Sequence, residues 1–149
     1  MKKILFMLII AITCNISAWS QTAYSAVEIG KEVMQSKNFA LAKTLLTNNG
    51  FICNKNQTTT DCIVYENPYA KYVDQAIVIR VHKEAKTNKA SKYVILLGGQ
   101  SQINGYIRAL KDLGFKLDVW SREYECGNLV VKESRNNRGW FEAAFYNRK

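Results

Sequence analysis

The residues of this 149-residue chain that could do chemistry are few and scattered. His82 is the single histidine, so any Ser–His or Cys–His mechanism must run through it. It falls in a predicted strand between Arg80 and Lys83, whose positive charges oppose its protonation, and the sequence offers no partner that would orient it as a base. There is no Gly-x-Ser-x-Gly elbow. Glu123 and Glu125 stand two apart in a stretch that reads as a loop, where both carboxylates stay solvated; an acid–base pair needs contrasting environments. Gly98-Gly99 lies between a predicted strand and a helix start, the place where backbone N–H groups can cradle an anion. Neither a Gly-Lys-Ser/Thr ending nor a Gly-x-Gly-x-x-Gly pattern accompanies it, and a plain strand-to-helix turn explains both glycines. The three cysteines beyond residue 20, Cys53, Cys62 and Cys126, and the one histidine lack the paired spacing zinc requires, so no metal and no cofactor is expected. Lys83, Lys86, Lys89 and Lys92 recur every third residue between two strands, which reads as a compact positive patch or as a solvated loop.

The elements that must hold these residues follow from periodicity. Apolar residues at helical spacing predict an amphipathic helix over Ala23–Gln35, a second after Asn38, and a third capped by Ser101 and running to Leu113. Alternation and β-branched content predict strands over Gly50–Cys53, Asp61–Glu66, Gln75–Lys83, Lys92–Leu97, Phe115–Trp120, Asn128–Glu133 and Trp140–Asn147. Short gaps between them mean hairpins and antiparallel pairing. Shifting the chain by 64 positions lays Leu46, Gly50, Phe51 and Cys62 on Leu110, Gly114, Phe115 and Cys126. In both copies a glycine would supply the left-handed residue that ends the helix, with the phenylalanine folding back. The expected fold is α+β, a tandem helix-plus-antiparallel-meander repeat with its helices packed on one face of an antiparallel sheet. Residues 21–149 form a single domain made of two related halves, about 21–90 and 91–149.

With helices on one sheet face, alternation assigns the other. Ile77, Ile79, Val81, Phe141, Ala143 and Phe145 read as core, leaving Arg80, His82, Trp140, Glu142, Ala144 and Tyr146 outward. Aromatics and arginine on an exposed sheet have the composition of a protein-binding patch, whose alternative is burial under a loop or the first helix. The layout resembles tandem helix-plus-meander exported proteins, the β-lactamase inhibitor proteins among them. That resemblance implies a concave, aromatic-rich sheet face offered to a target; it lies in the order of elements and carries over no residue.

Lys2 and Lys3, the apolar run Ile4–Ile12 and Ala18-Trp19-Ser20 read as a secretory signal peptide over residues 1–20. Cleavage after Ser20 would leave Gln21 first, with cleavage after Ala18 as the alternative. The run is too short to span a bilayer, which takes about 20 apolar residues. Cys14 offers a second fate, acylation as a lipid anchor, although Thr13 replaces the small residue that such a signal prefers. The expected location is therefore periplasmic or secreted, with no transmembrane segment after processing. Loss of Lys2 and Lys3 lowers the formal charge from +9 to +7, favouring a protein or polyanionic envelope surface as partner over nucleic acid in that compartment. Oxidising surroundings predict a disulfide, Cys53–Cys62 across a hairpin, with Cys62–Cys126 or three free thiols as alternatives. The functional expectation is a non-enzymatic binding module engaging its partner through Arg80, His82, Trp140, Glu142 and Tyr146, with Lys83, Lys86 and Lys89 beside them. The alternatives are a small envelope-polymer hydrolase using His82 or a loop glutamate, and a structural envelope component.

Overall fold

The computed structural model describes residues 22–67 and 72–148. The segment read as a signal peptide, Cys14 included, lies outside the described residues. Among the described residues, three α-helices, α1 (Ala23–Ser36), α2 (Phe39–Asn48) and α3 (Gln100–Asp112), accompany eight strands. The strands are β1 (Ile52–Cys53), β2 (Cys62–Glu66), β3 (Ile77–Lys83), β4 (Ala90–Leu97), β5 (Lys116–Asp118), β6 (Glu123–Cys126), β7 (Leu129–Arg135) and β8 (Phe141–Asn147). They form one antiparallel sheet in the order β1-β2-β3-β4-β8-β7-β6-β5, a palindrome about the β4–β8 pair. The fold is α+β.

Local chemistry explains the helix ends. Thr22 and Ser25 exchange side-chain and backbone hydrogen bonds at the start of α1, a capping box without its usual acid. Asn38 caps α2 by accepting from the Leu41 amide at 3.2 Å. Helices α2 and α3 end alike. The Gly50 and Phe51 amides donate to Thr47 and Leu46, and those of Gly114 and Phe115 donate to Lys111 and Leu110. Gly50 (φ 80) and Gly114 (φ 83) take the left-handed conformation this closure needs, and Phe51 and Phe115 both return into the core. Beyond the helix ends the 64-residue spacing loses step with the strands. Cys62 opens β2 whereas Cys126 closes β6, and the shift lays β3 on β8 although β7 is third of the strands after α3.

Helix and strand residues meet in one core. Val27, Val33, Met34, Phe39, Leu46, Tyr106 and Leu110 share it with Ile63, Tyr65, Ile77, Ile79, Val81, Tyr93, Ile95, Ala143 and Phe145. Tyr93 lies deepest. Its hydroxyl donates to the Ala26 carbonyl at 2.8 Å, and its ring meets that of Phe145 edge-on with centroids 5.7 Å apart. Gly30 makes room for it, since a Cβ there would stand 2.6 Å from the Tyr93 ring.

Several expectations need correction. Helix α3 starts at Gln100 with Gly99 at the cap position, and Ser101 lies inside it. Glu123 and Glu125 belong to a strand, β6, so four strands follow α3 where three were expected. The chain turns after Asp118, leaving Val119 and Trp120 outside β5. The Cys53–Cys62 disulfide is absent: Cys53, Cys62 and Cys126 are all free. Register explains why. Cys53 pairs with Tyr65, three residues along β2 from Cys62, a separation of about 10 Å where a disulfide needs under about 7 Å. The two side chains also differ in face: Cys53 packs on the main core with Tyr65, whereas Cys62 stands opposite His82. The Cys62–Cys126 alternative is still farther, since β3, β4, β8 and β7 lie between their strands.

Candidate functional site

The strand positions that alternate with the main core form a second surface. Val94, Leu96 and Ala144 are buried there as a separate apolar cluster, with Val78 and Trp140 packed against it. The register sets Glu66, Val78, Leu96, Glu142 and Ser134 in one row across the sheet. The next row holds Val64, Arg80, Val94, Ala144 and Lys132. Cys62, His82 and Lys92 follow beyond it on one side, with Tyr146 and Val130 on the other. Five of the residues singled out from sequence, Arg80, His82, Trp140, Glu142 and Tyr146, thus share one surface. Trp140 and Tyr146 are half-buried, which places each between the two readings of an open patch and a covered one. The apolar centre is closed over by its neighbours, so the surface offered outward consists of charged and aromatic rims.

Individual contacts define the chemistry this surface can do. The Tyr146 hydroxyl donates to Glu123 Oε1 at 2.8 Å, and Glu125 is ion-paired with Arg148. Both glutamates proposed for hydrolysis are therefore engaged by partners. Cys62 Sγ lies 3.9 Å from His82 Nε2, a juxtaposition the sequence did not reveal. Burial pushes the Cys62 thiol up against the pull of Arg80. Burial, then Lys92 and Arg80, push the His82 imidazole down. Near neutral pH both shifts favour the thiol and the neutral imidazole, the opposite of the thiolate–imidazolium pair a nucleophilic cysteine needs.

The lysine series is distributed unevenly. Lys83 is ion-paired with Asp61 at 3.7 Å and stands 5.9 Å from the centre of the Phe39 ring. Lys86 is exposed at the tip of the β3–β4 hairpin in the left-handed conformation (φ 62). Lys89 bridges to Asn38, and the adjoining backbone is tied to the α1–α2 link by Phe39 N–H to Asn88 O (3.1 Å) and Ala90 N–H to Lys37 O (3.0 Å). The tip is thus held by backbone hydrogen bonds, and Lys86 and Lys89 remain exposed upon it.

The Gly98-Gly99 turn is filled by the protein itself. A Cβ on Gly98 would fall 1.7 Å from the Val73 carbonyl oxygen, and one on Gly99 2.3 Å from that of Asp74. The Gly98 amide already donates to Ala76 O at 3.0 Å. The 3-10 turn Val73–Gln75 occupies the space an anion would need, so packing explains both glycines. Among the described residues no cluster of three potential ligands could hold a metal ion.

Sequence reasoning missed two features. Glu133, on β7, lies beside the buried Tyr106 hydroxyl, which makes no hydrogen bond within 3.5 Å. Burial raises the Glu133 carboxyl while the Tyr106 contact draws it back. The second is the β5–β6 turn, where Trp120 is 96% exposed. Asp118 two residues before it was the available signal, because aspartate at that offset favours a turn over a continuing strand.

Comparison with protein-family models, with curated proteins and with solved structures finds no match. Among the described residues, no helix is long and apolar enough to cross a membrane.

Proposed function

We propose that the protein is an exported, non-enzymatic binding module. It engages a protein or anionic envelope surface through the sheet face that carries Arg80, His82, Trp140, Glu142 and Tyr146, with Lys83, Lys86 and Lys89 as a basic flank. The observation that carries this reading is the second apolar cluster of Val94, Leu96 and Ala144 under Trp140, on positions alternating with the helix-bearing core. The buried floor seats Trp140, and the arginine, lysine and tyrosine around it have the composition of an interface patch. In this reading the helices cover the opposite face and two related halves, about 21–90 and 91–149, meet at β4–β8. The palindromic strand order and the matching ends of α2 and α3 support that arrangement. Export rests on the charged, apolar and small-residue pattern of residues 1–20.

The raised Cys62 thiol and the engagement of Glu123 and Glu125 by Tyr146 and Arg148 argue against the hydrolase alternative. The test is a pull-down with the wild-type protein as bait, repeated with Arg80→Glu combined with Tyr146→Ala and, separately, with His82→Ala. Loss of a stoichiometric partner from the first variant, at unchanged unfolding midpoint, supports the face as the binding site. Retention of that partner by the first variant sinks the reading. So does loss of a hydrolytic activity in a folded His82→Ala protein.

A further inference from the structure

Leu117, Val119 and Trp120 make the β5–β6 hairpin the most exposed apolar feature of the described chain, at 53%, 78% and 96% exposure. The turn is built, not frayed. Asp118 accepts from the Trp120 amide through Oδ1 and from the Ser121 hydroxyl through Oδ2, both at 3.0 Å. Its carbonyl accepts from the Arg122 amide at 2.8 Å, with Arg122 in the left-handed conformation (φ 57). Nothing in the main core requires these three side chains, and β5 is a three-residue edge strand at the end of the sheet. A hairpin fixed by its own hydrogen bonds while holding an indole in water calls for an occupant.

Shape and charge narrow that occupant. Val119 and Trp120 stand largely in water, so the feature enters its partner. It is bracketed by Lys116 and Arg122, both exposed and neither in an ion pair among the described residues. The acids nearby are engaged: Asp118 by the turn, Glu123 by Tyr146 and Glu125 by Arg148. The chain as a whole carries +9. An indole and two aliphatic side chains between unpaired cations match the interface of an anionic bilayer. There tryptophan sits at headgroup depth and basic residues meet the lipid phosphates. We propose that the β5–β6 hairpin is a peripheral membrane anchor that inserts Val119 and Trp120 into the interface of anionic lipid, independently of the sheet face.

The test is sedimentation with phosphatidylglycerol-rich vesicles and with pure phosphatidylcholine vesicles at low and high salt. Wild type, Trp120→Ser and Lys116→Glu/Arg122→Glu are prepared identically, so residues before Thr22 contribute equally to each. Wild type is expected to bind the anionic vesicles, to leave them as salt rises, and to have its emission quenched by brominated lipid. Trp120→Ser should lower partitioning about tenfold or more and remove the quenched component. The double charge reversal should lower it at least about tenfold and abolish the preference for anionic lipid. Unfolding midpoints should not move, because the substituted side chains stand in water. Failure of wild type to bind anionic vesicles at low salt overturns the proposal. So does binding that Trp120→Ser leaves intact, or that makes no distinction between the two lipids.

Discussion

Truncating three aromatic residues to alanine measures how this fold distributes its packing. Phe145 is fully buried, with its ring edge-on to Tyr93 at 5.7 Å and to Phe115 at 6.1 Å. Its removal opens a cavity walled by β4, β8 and the chain after α3, and should cost about 3–5 kcal/mol. Trp140 is half-buried over Val94, Leu96 and Ala144, so the same cost scaled by partial burial is about 1.5–2.5 kcal/mol. Trp120 contributes nothing to either cluster and should cost less than about 0.5 kcal/mol. Urea unfolding followed by far-ultraviolet circular dichroism avoids a readout that depends on the tryptophans themselves. With a slope of about 1.5 kcal/mol/M, the Phe145→Ala midpoint falls by about 2–3 M and the Trp140→Ala midpoint by about 1–1.7 M. A Trp140→Ala midpoint equal to wild type would refute the second cluster. A Trp120→Ala midpoint as low as that of Phe145→Ala would refute the free hairpin.

Other expectations follow from single contacts. Gly30→Ala should destabilise despite a helix-propensity gain of about 1 kcal/mol, because its Cβ would meet the Tyr93 ring at 2.6 Å. Tyr93→Val should suppress that loss, and additive losses in the double-mutant cycle would contradict the contact. His82 has a lowered folded pKa, so the unfolded chain binds more protons just below its ordinary value near 6.5. Stability should therefore fall as pH drops from about 6.5 toward the folded pKa, and the loss should shrink in His82→Asn; an unchanged pH profile would remove the assigned burial and charge effects. Thiol titration of the denatured protein should find Cys53, Cys62 and Cys126 unlinked, and a Cys53–Cys62 peptide in a non-reducing digest would contradict the strand register.

Much of the framework was legible because local rules decided it. Alternation in Ile77-Val78-Ile79-Arg80-Val81 gave β3 and its two faces, and Asn38, Gly50 and Gly114 marked helix ends through capping chemistry that needs no tertiary context. Failures came where packing or register decided. Strand β6 is four residues long, and the turn before it uses Arg122 in a left-handed conformation where a glycine would have announced it. Gly98 and Gly99 resemble an anion cradle until the turn at Val73–Gln75 is seen packed against them. The disulfide inference used hairpin proximity alone, and a three-residue offset that also changed face undid it. Of the candidate site, alternation identified the shared face of Arg80, His82, Glu142 and Tyr146, while the Cys62–His82 approach and the Tyr146–Glu123 bond depend on cross-strand register that one strand cannot reveal.

Site-specific photocrosslinking tests the binding face most directly. A photoreactive residue is placed at His82, at Tyr146 and, as the control, at Ile107, which is exposed on α3. The expected result is one and the same crosslinked species from positions 82 and 146 and none from position 107. Crosslinking of that species from position 107, or its absence from both sheet positions, would contradict binding through this face.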